Sequence, residues 1–184
     1  MKSVVTTALA LSFALSFVFA GSASGASTAP AGQLAPARDP AHVKAVQDLL
    51  GAMQIEKLLR GVAARTRFPS EAQRQAMFAR LDKMPPAEVY QRMAPPLADR
   101  ISADTAAEMT RFYNTPYGKQ LIHRKYNNSG GIIFPGAVAG VPPEEKKERK
   151  RAAYVQASRE LAAAEPAIDH EAFVLLQAIN KEKR

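Results

Sequence analysis

The side chains in this chain with the widest chemical range are three histidines, His42, His123 and His170, and five tyrosines. The histidines fall on different predicted helices, far apart in sequence. Metal sites need three or four ligands converging on one point. The nearest approach to such spacing is Asp169-His170-Glu171, but consecutive helical residues point in different directions and cannot meet at one ion. Those three residues are expected on a solvated helix surface, with no metal site. His123 with Tyr113 or Tyr126 has the residue types for acid–base work. However, a predicted bend intervenes between Tyr113 and His123, and no carboxylate is evident to orient the imidazole. The sequence contains no Gly-x-Ser-x-Gly elbow, phosphate-binding loop, dinucleotide fingerprint or His-Glu-x-x-His pair. It also contains no cysteine, which excludes thiol catalysis, cysteine-ligated zinc, iron–sulfur clusters and disulfides. The expectation is a protein that is not an enzyme and uses no cofactor.

Charge gives a second set of exclusions. The 184 residues carry a formal net charge of +8. The run "EEKKERKR", Glu144 to Arg151, looks basic, but from residue 141 onward nine Lys/Arg stand against eight Asp/Glu. Glutamates followed by lysines or arginines one turn on describe a solvated helix face. Between Arg38 and Lys125 fifteen cations face nine anions, and they are dispersed. A weak attraction to anionic surfaces follows from that balance, and sequence-specific nucleic-acid recognition does not.

The opening "MKSVVTTALALSFALSFVFA" has one lysine, an uncharged apolar run and small residues at Val18 and Ala20. It reads as a secretory signal peptide over residues 1–20, with cleavage after Ala26 as the alternative. Residues 21–37 are small, uncharged and rich in Ser, Gly, Ala and Pro, which predicts a flexible leader. No later run is apolar enough to span a bilayer, so the mature chain is expected to be exported without a transmembrane segment. The periplasm is the expected location, with secretion as the alternative. Residues 38–184 are long enough for a single domain with a real core.

The elements that must position any site are helices. Asp39-Pro40 is a capping residue before a proline at the first helical position. Val46, Leu49, Leu50 and Met53 follow helical spacing, as do Ile55, Leu58, Leu59 and Val62, but the two sets lie on opposite faces. A break between Gly51 and Gln54 is therefore expected. Ser70 starts a helix presenting Met77, Phe78, Leu81 and Met84, ended by Pro85-Pro86. A short amphipathic piece with Val89, Tyr90 and Met93 runs to Pro95-Pro96, and Ser102 can cap the next helix. Residues 127–143 hold four glycines and three prolines and predict a loop. Its Ile132, Ile133, Phe134, Val138 and Val141 are expected to lie against the core or a partner. Two further helices are expected, Glu144 to Glu165 and Pro166 to Lys183. The fold expectation is all-α, a small bundle of about five to seven helices.

The bend lies in "TRFYNTPYGKQL". Pro116 lacks an amide hydrogen and its ring clashes with the Phe112 carbonyl, so the helix from Ser102 should end near Asn114. Thr115 can cap a new helix with Pro116 at its first position. Gly118 leaves room for another backbone. Met109, Phe112, Tyr113 and Leu121 supply the apolar face that the bend packs.

At these residues the chain resembles a known family. "FYNTPYGKQL" is similar to the Phe-Tyr-x-Ser/Thr-Pro-x-Gly-x-x-Leu signature of exported bacterial helical proteins grouped as domain of unknown function 2059. Phe112, Tyr113, Thr115, Pro116, Gly118 and Leu121 match it. The resemblance extends back through "ISADTAAEMTR" to "VQDLLGAMQIEKLL", so it covers a core of about 43–126 and leaves 144–184 as a C-terminal helical extension. The chain departs from the family pattern at Asp104-Thr105, where consecutive acidic residues are common. The resemblance implies a small periplasmic or secreted all-helical protein and carries over no catalytic residue. The functional expectation is a non-catalytic binding or cell-envelope-associated protein with an unidentified protein or apolar partner. The alternative is a lipid- or apolar-ligand-binding module in which Tyr113, Tyr117 and Phe134 line a groove. An enzyme using His123 is a third possibility.

Overall fold

Local signals start the helices where the side chains can satisfy the free amides of a first turn. Asp39 Oδ1 accepts from the Ala41 amide at 3.0 Å ahead of Pro40. Ser70 Oγ accepts from Gln73 at 3.2 Å, and Ser102 Oγ from Thr105 at 3.3 Å. The computed structural model describes residues 39–127 and 141–182. All of them belong to one compact unit, Ala37–Arg184. Among the described residues there are eight helices and no strand: α1 Pro40–Ala52, α2 Ile55–Arg65, α3 Glu71–Lys83, α4 Pro86–Leu97, α5 Ala103–Tyr113, α6 Pro116–Asn127, α7 Pro143–Glu148 and α8 Ala152–Lys181. The fold is all-α. The signal-peptide and leader segments and Phe134, with its neighbours from 128 to 140, lie outside the described residues.

Helix α1 is the centre of the bundle, packed between α4 and α5, with Val46, Leu49 and Leu50 fully buried. Helix α8 lies across α5 with its first half and across α2 and α4 with its second. Phe112 from α5 and Met93 and Leu97 from α4 close the core. Each such side chain contributes about 1.5–3 kcal/mol through burial. Helix α3 sits at the periphery on α2, burying only Met77 and reaching α8 through Arg80, whose Nη1 donates to the Ile179 carbonyl at 3.1 Å.

The expected break between Gly51 and Gln54 is present. Gln54 adopts φ 53° and ψ 51°, in the left-handed region, and with Met53 it turns α1 into α2. The turn lets both opposed apolar sets, Leu49 with Leu50 and Ile55 with Leu59, enter the same core.

Two proline boundaries are corrected. Pro166 does not separate two helices; it lies inside α8. Ala157, Leu161, Ala164, Ile168, Ala172 and Leu175 form one buried stripe that runs through it at spacings of three and four. Burial along that stripe exceeds the roughly 3 kcal/mol that an interior proline costs. The actual break falls at residues 149–151, within the charged run, which is therefore a corner and not one solvated face. Pro95 and Pro96 likewise lie inside α4, which continues to Leu97. They sit in the last turn, so the missing amides interrupt the ladder only at its end. Among the described residues the merger at Pro166 and the break at 149–151 offset each other, and the all-α small bundle expected from the sequence has eight helices.

Candidate functional site

The α1–α2 elbow faces the α5–α6 corner, and the corner is built as the sequence suggested. Asn114 and Thr115 separate the two helices, Thr115 Oγ1 accepts from the Gly118 amide at 3.0 Å, and Pro116 opens α6. Gly118 is buried in close contact with the end of α5: a Cβ there would lie 2.2 Å from the Phe112 carbonyl oxygen and 2.7 Å from Tyr113 Cα. Only a glycine lets the two helices cross this tightly. Phe112 is 1% exposed, and its ring meets Tyr113 edge-on at 5.5 Å and Tyr154 of α8 at 4.7 Å.

The two corner tyrosines part company. Tyr117 is 7% exposed, in the core, with the Arg124 guanidinium over its ring at 5.9 Å. Tyr113 is half-buried and lines an open cleft of about 460 Å³. Gly51, Ala52 and Gln54 form the elbow side of this cleft, Tyr113 and Asn114 come from the end of α5, and Lys119, Gln120 and His123 come from α6. The bend thus brings Tyr113 and His123 together, where the sequence suggested that it would hold them apart. Leu121 is half-buried against the core.

Burial, reinforced by Tyr154 and Glu165, pushes the Tyr113 phenol up to about 12. Burial, with Glu56 and Tyr113 adding to it, holds Tyr126 up to about 12 as well. Both phenols therefore stay neutral through the physiological range and are poor proton donors to a substrate. Tyr126 Oη is buried without a hydrogen-bond partner among the described residues, and Lys57 Nζ lies 5.9 Å from its ring centre. Behind the elbow, Tyr90 Oη donates to Glu56 Oε2 at 2.6 Å; burial and then Glu56 push that phenol upward too.

Gln54 stands out. It is the one non-glycine residue at positive φ among the described residues, and its side-chain Oε1 is buried with no hydrogen-bond partner among them. A left-handed conformation costs a residue with a Cβ about 1–2 kcal/mol. A shielded carbonyl without a donor adds to that cost. Among the described residues, Lys119, Gln120 and His123 make no side-chain hydrogen bond or ion pair either.

A second, larger groove of about 630 Å³ between α5 and α8 is also polar, and its glutamates and arginines are tied to one another and to Ser102 and Thr105. Glu160 accepts from the Ser102 amide at 2.6 Å, Ser102 Oγ at 3.1 Å and Thr105 Oγ1 at 2.8 Å. Glu108 and Glu148 are shared between Arg111 and Arg151, tying the α7–α8 corner to α5. This groove carries the ties that join α5 to the α7–α8 corner, and the cleft at the elbow carries the left-handed Gln54.

His170 and Asp169 are exposed on α8 and His42 Nε2 donates to the Ile101 carbonyl at 2.7 Å. Among the described residues no three His, Asp or Glu side chains converge on one point, and no helix is long and apolar enough to cross a membrane. Sequence reasoning missed Gln54, Lys119 and Gln120. The elbow's position was a usable signal for Gln54, because a two-residue connection that ends a helix commonly carries a left-handed residue.

Comparison with protein-family models, curated proteins and solved structures gives no match. What the cleft does therefore follows from its own chemistry.

Proposed function

We propose that the protein is an exported, non-catalytic binding protein of the bacterial cell envelope, located in the periplasm or released, that holds a small ligand in the elbow–corner cleft. The observation that carries this reading is the strained Gln54 with its unpartnered Oε1 beside the unpaired Lys119, Gln120 and His123. Strain and unsatisfied polar groups concentrate where a structure serves something besides its own stability. The signal-like N-terminus and the resemblance of "FYNTPYGKQL" to exported helical proteins support the location. Two features support binding over catalysis: among the described residues no carboxylate lines the cleft, and burial pushes its phenol up to about 12.

Labelled mature protein, from Gly21 onward, titrated with pooled small metabolites, tests the reading by NMR. Shifts clustered at Gln54, Tyr113, Lys119 and His123, and lost in Lys119→Met, are expected. Turnover of any pooled compound, abolished by His123→Ala, overturns the non-catalytic assignment.

An apolar-ligand reading draws on a different place. Phe173 and Val174 are 41% and 44% exposed, and Phe173 borders a groove of about 310 Å³ with Phe68, Met77 and Leu176. Exposed large apolar side chains grouped in this way mark contact surfaces. Lipid co-purifying with the wild type and lost in Phe173→Ser supports this second reading, whereas extraction of no apolar ligand counts against it.

A further inference from the structure

We infer that the groove between the α2–α3 connection and the end of α8 takes a single alkyl chain with an anionic head, as in a free fatty acid. The inference rests on the apolar-ligand reading above and adds the ligand's shape and charge. Met77 and Leu176, 1% and 3% exposed, lie at the base of the groove, and Phe68 and Phe173 line it with aromatic surface. Helix α3 buries only Met77, so it covers this flank of α8 thinly. Phe173 and the neighbouring Val174 are the large apolar side chains left exposed among the described residues, and apolar surface grouped in this way favours an apolar occupant. The groove holds about 310 Å³. At roughly 30 Å³ for a water-sized group, that is room for about ten such groups. One saturated chain of medium length fills it, and the two chains of a phospholipid exceed it.

The rim supplies the charge. Arg67 lines the groove from the α2–α3 connection and Lys181 from the last turn of α8, and among the described residues no Asp or Glu lines it. Neither cation makes a side-chain hydrogen bond or ion pair among the described residues. Glu182, next to Lys181 in the chain, is bonded instead to Arg92, whose Nη1 lies at 3.4 Å. A carboxylate can accept from a guanidinium fork and an ammonium together. Gln177 and Asn180, also at the groove, add neutral amide donors. A neutral lipid would leave both cations unmatched, and a cationic head would be repelled by them. A surface that dips into a membrane turns its apolar side chains outward. Here Met77 and Leu176 are buried beneath the groove, so a chain must leave the membrane and enter the protein to reach them.

The probes are decanoate, 1-decanol and hexanoate, titrated into the mature protein and followed by NMR shifts at Phe68, Met77, Phe173 and Leu176. Decanoate is expected to bind about tenfold tighter than 1-decanol, from two exposed charge contacts at a few-fold each. The double variant Arg67→Gln, Lys181→Gln should erase that margin and leave 1-decanol unchanged. Hexanoate, four methylenes shorter, should bind about two hundredfold weaker than decanoate, at roughly fourfold per methylene. Phe173→Ser, at an exposed position, should weaken all three. Equal binding of decanoate and 1-decanol overturns the anionic head and leaves the apolar-ligand reading standing. Absence of a groove shift with decanoate overturns the single-chain ligand; binding to phosphatidylglycerol vesicles in its place assigns the groove to a membrane surface, and lipid absent from the purified protein as well removes the apolar-ligand reading too.

Discussion

Substituting alanine at the three glycines described in helices should give three different outcomes, and Gly118 decides whether the corner has been understood. Its Cβ would sit 2.2 Å from the Phe112 oxygen and 3.0 Å from the Phe112 carbonyl carbon. Favourable carbon–oxygen contacts begin near roughly 3.3 Å, so about 1 Å of separation must be found. The obstructing atoms are backbone, and they belong to a residue whose side chain is 1% exposed. The only relief is to open the α5–α6 crossing and disturb Phe112 and Tyr154. Overpacking of this kind costs about 3 kcal/mol or more at a rigid site, offset by about 1 kcal/mol from alanine's better helix propensity. A net loss near 2 kcal/mol corresponds to a fall in melting temperature of roughly 4–8 °C for a chain of this size. Gly61 is the control: nothing but the end of the Arg65 side chain, at 3.5 Å, approaches its Cβ position. Gly61→Ala should therefore gain up to about 1 kcal/mol. Gly51, whose Cβ would meet the Tyr90 ring at 3.3 Å, should fall near neutral. Thermal and urea unfolding followed by circular dichroism measures all three. A Gly118→Ala protein as stable as the wild type would falsify the close-approach account.

Three further outcomes follow from the same geometry. Thr115→Val should cost about 1 kcal/mol through the lost α6 cap, and Thr115→Ser should restore most of it, both read as urea midpoints. Burial pushes the Glu160 carboxyl up, but the Ser102 amide, the Thr105 and Ser102 hydroxyls and His42 together hold it net below its ordinary 4.5. A depressed carboxylate stabilises the fold fully above that value and ceases to do so as pH falls through its lower folded value. Glu160→Gln should thus be less stable at neutral pH and show a shallower loss on acidification; parallel acid limbs in the two proteins would contradict this. Tyrosinate absorbance should show Tyr113 and Tyr126 ionising at about 12, and a Tyr113→Phe protein should lose one late proton; ionisation of both at the ordinary value of 10.0 would refute their burial.

What could be read in the sequence was what neighbours in the chain decide. Asp39, Ser70, Ser102 and Thr115 cap helices through amides two or three residues away, so residue type and spacing sufficed. Gly118 could be identified as a close approach, although its partner, the end of the preceding helix, needed the fold. The proline rule failed at Pro166 because a local cost was set against a long buried stripe that only the packed bundle reveals. Tyr113 and Tyr117 looked alike in the motif. Successive helical residues differ by about 100°, so an inward Phe112 places Tyr113 on the shoulder of α5, while Tyr117 starts a helix with a different facing. Glu160 could not be found at all, because its partners are 55 and 58 residues away.

That last distance has a consequence for the order in which the chain can assemble. Ile101 and Ser102, adjacent at the start of α5, are held by His42 from 59 residues upstream and by Glu160 from 58 residues downstream. Two loop closures of nearly equal length end on neighbouring peptide units. A chain delivered N-terminus first, from a ribosome or across a membrane, can make the first closure early, but the second waits for Glu160 in the first third of α8. Helix α8 is thus a latch: the start of α5 is fastened from the downstream side only by a helix that follows α1 to α7 in the chain.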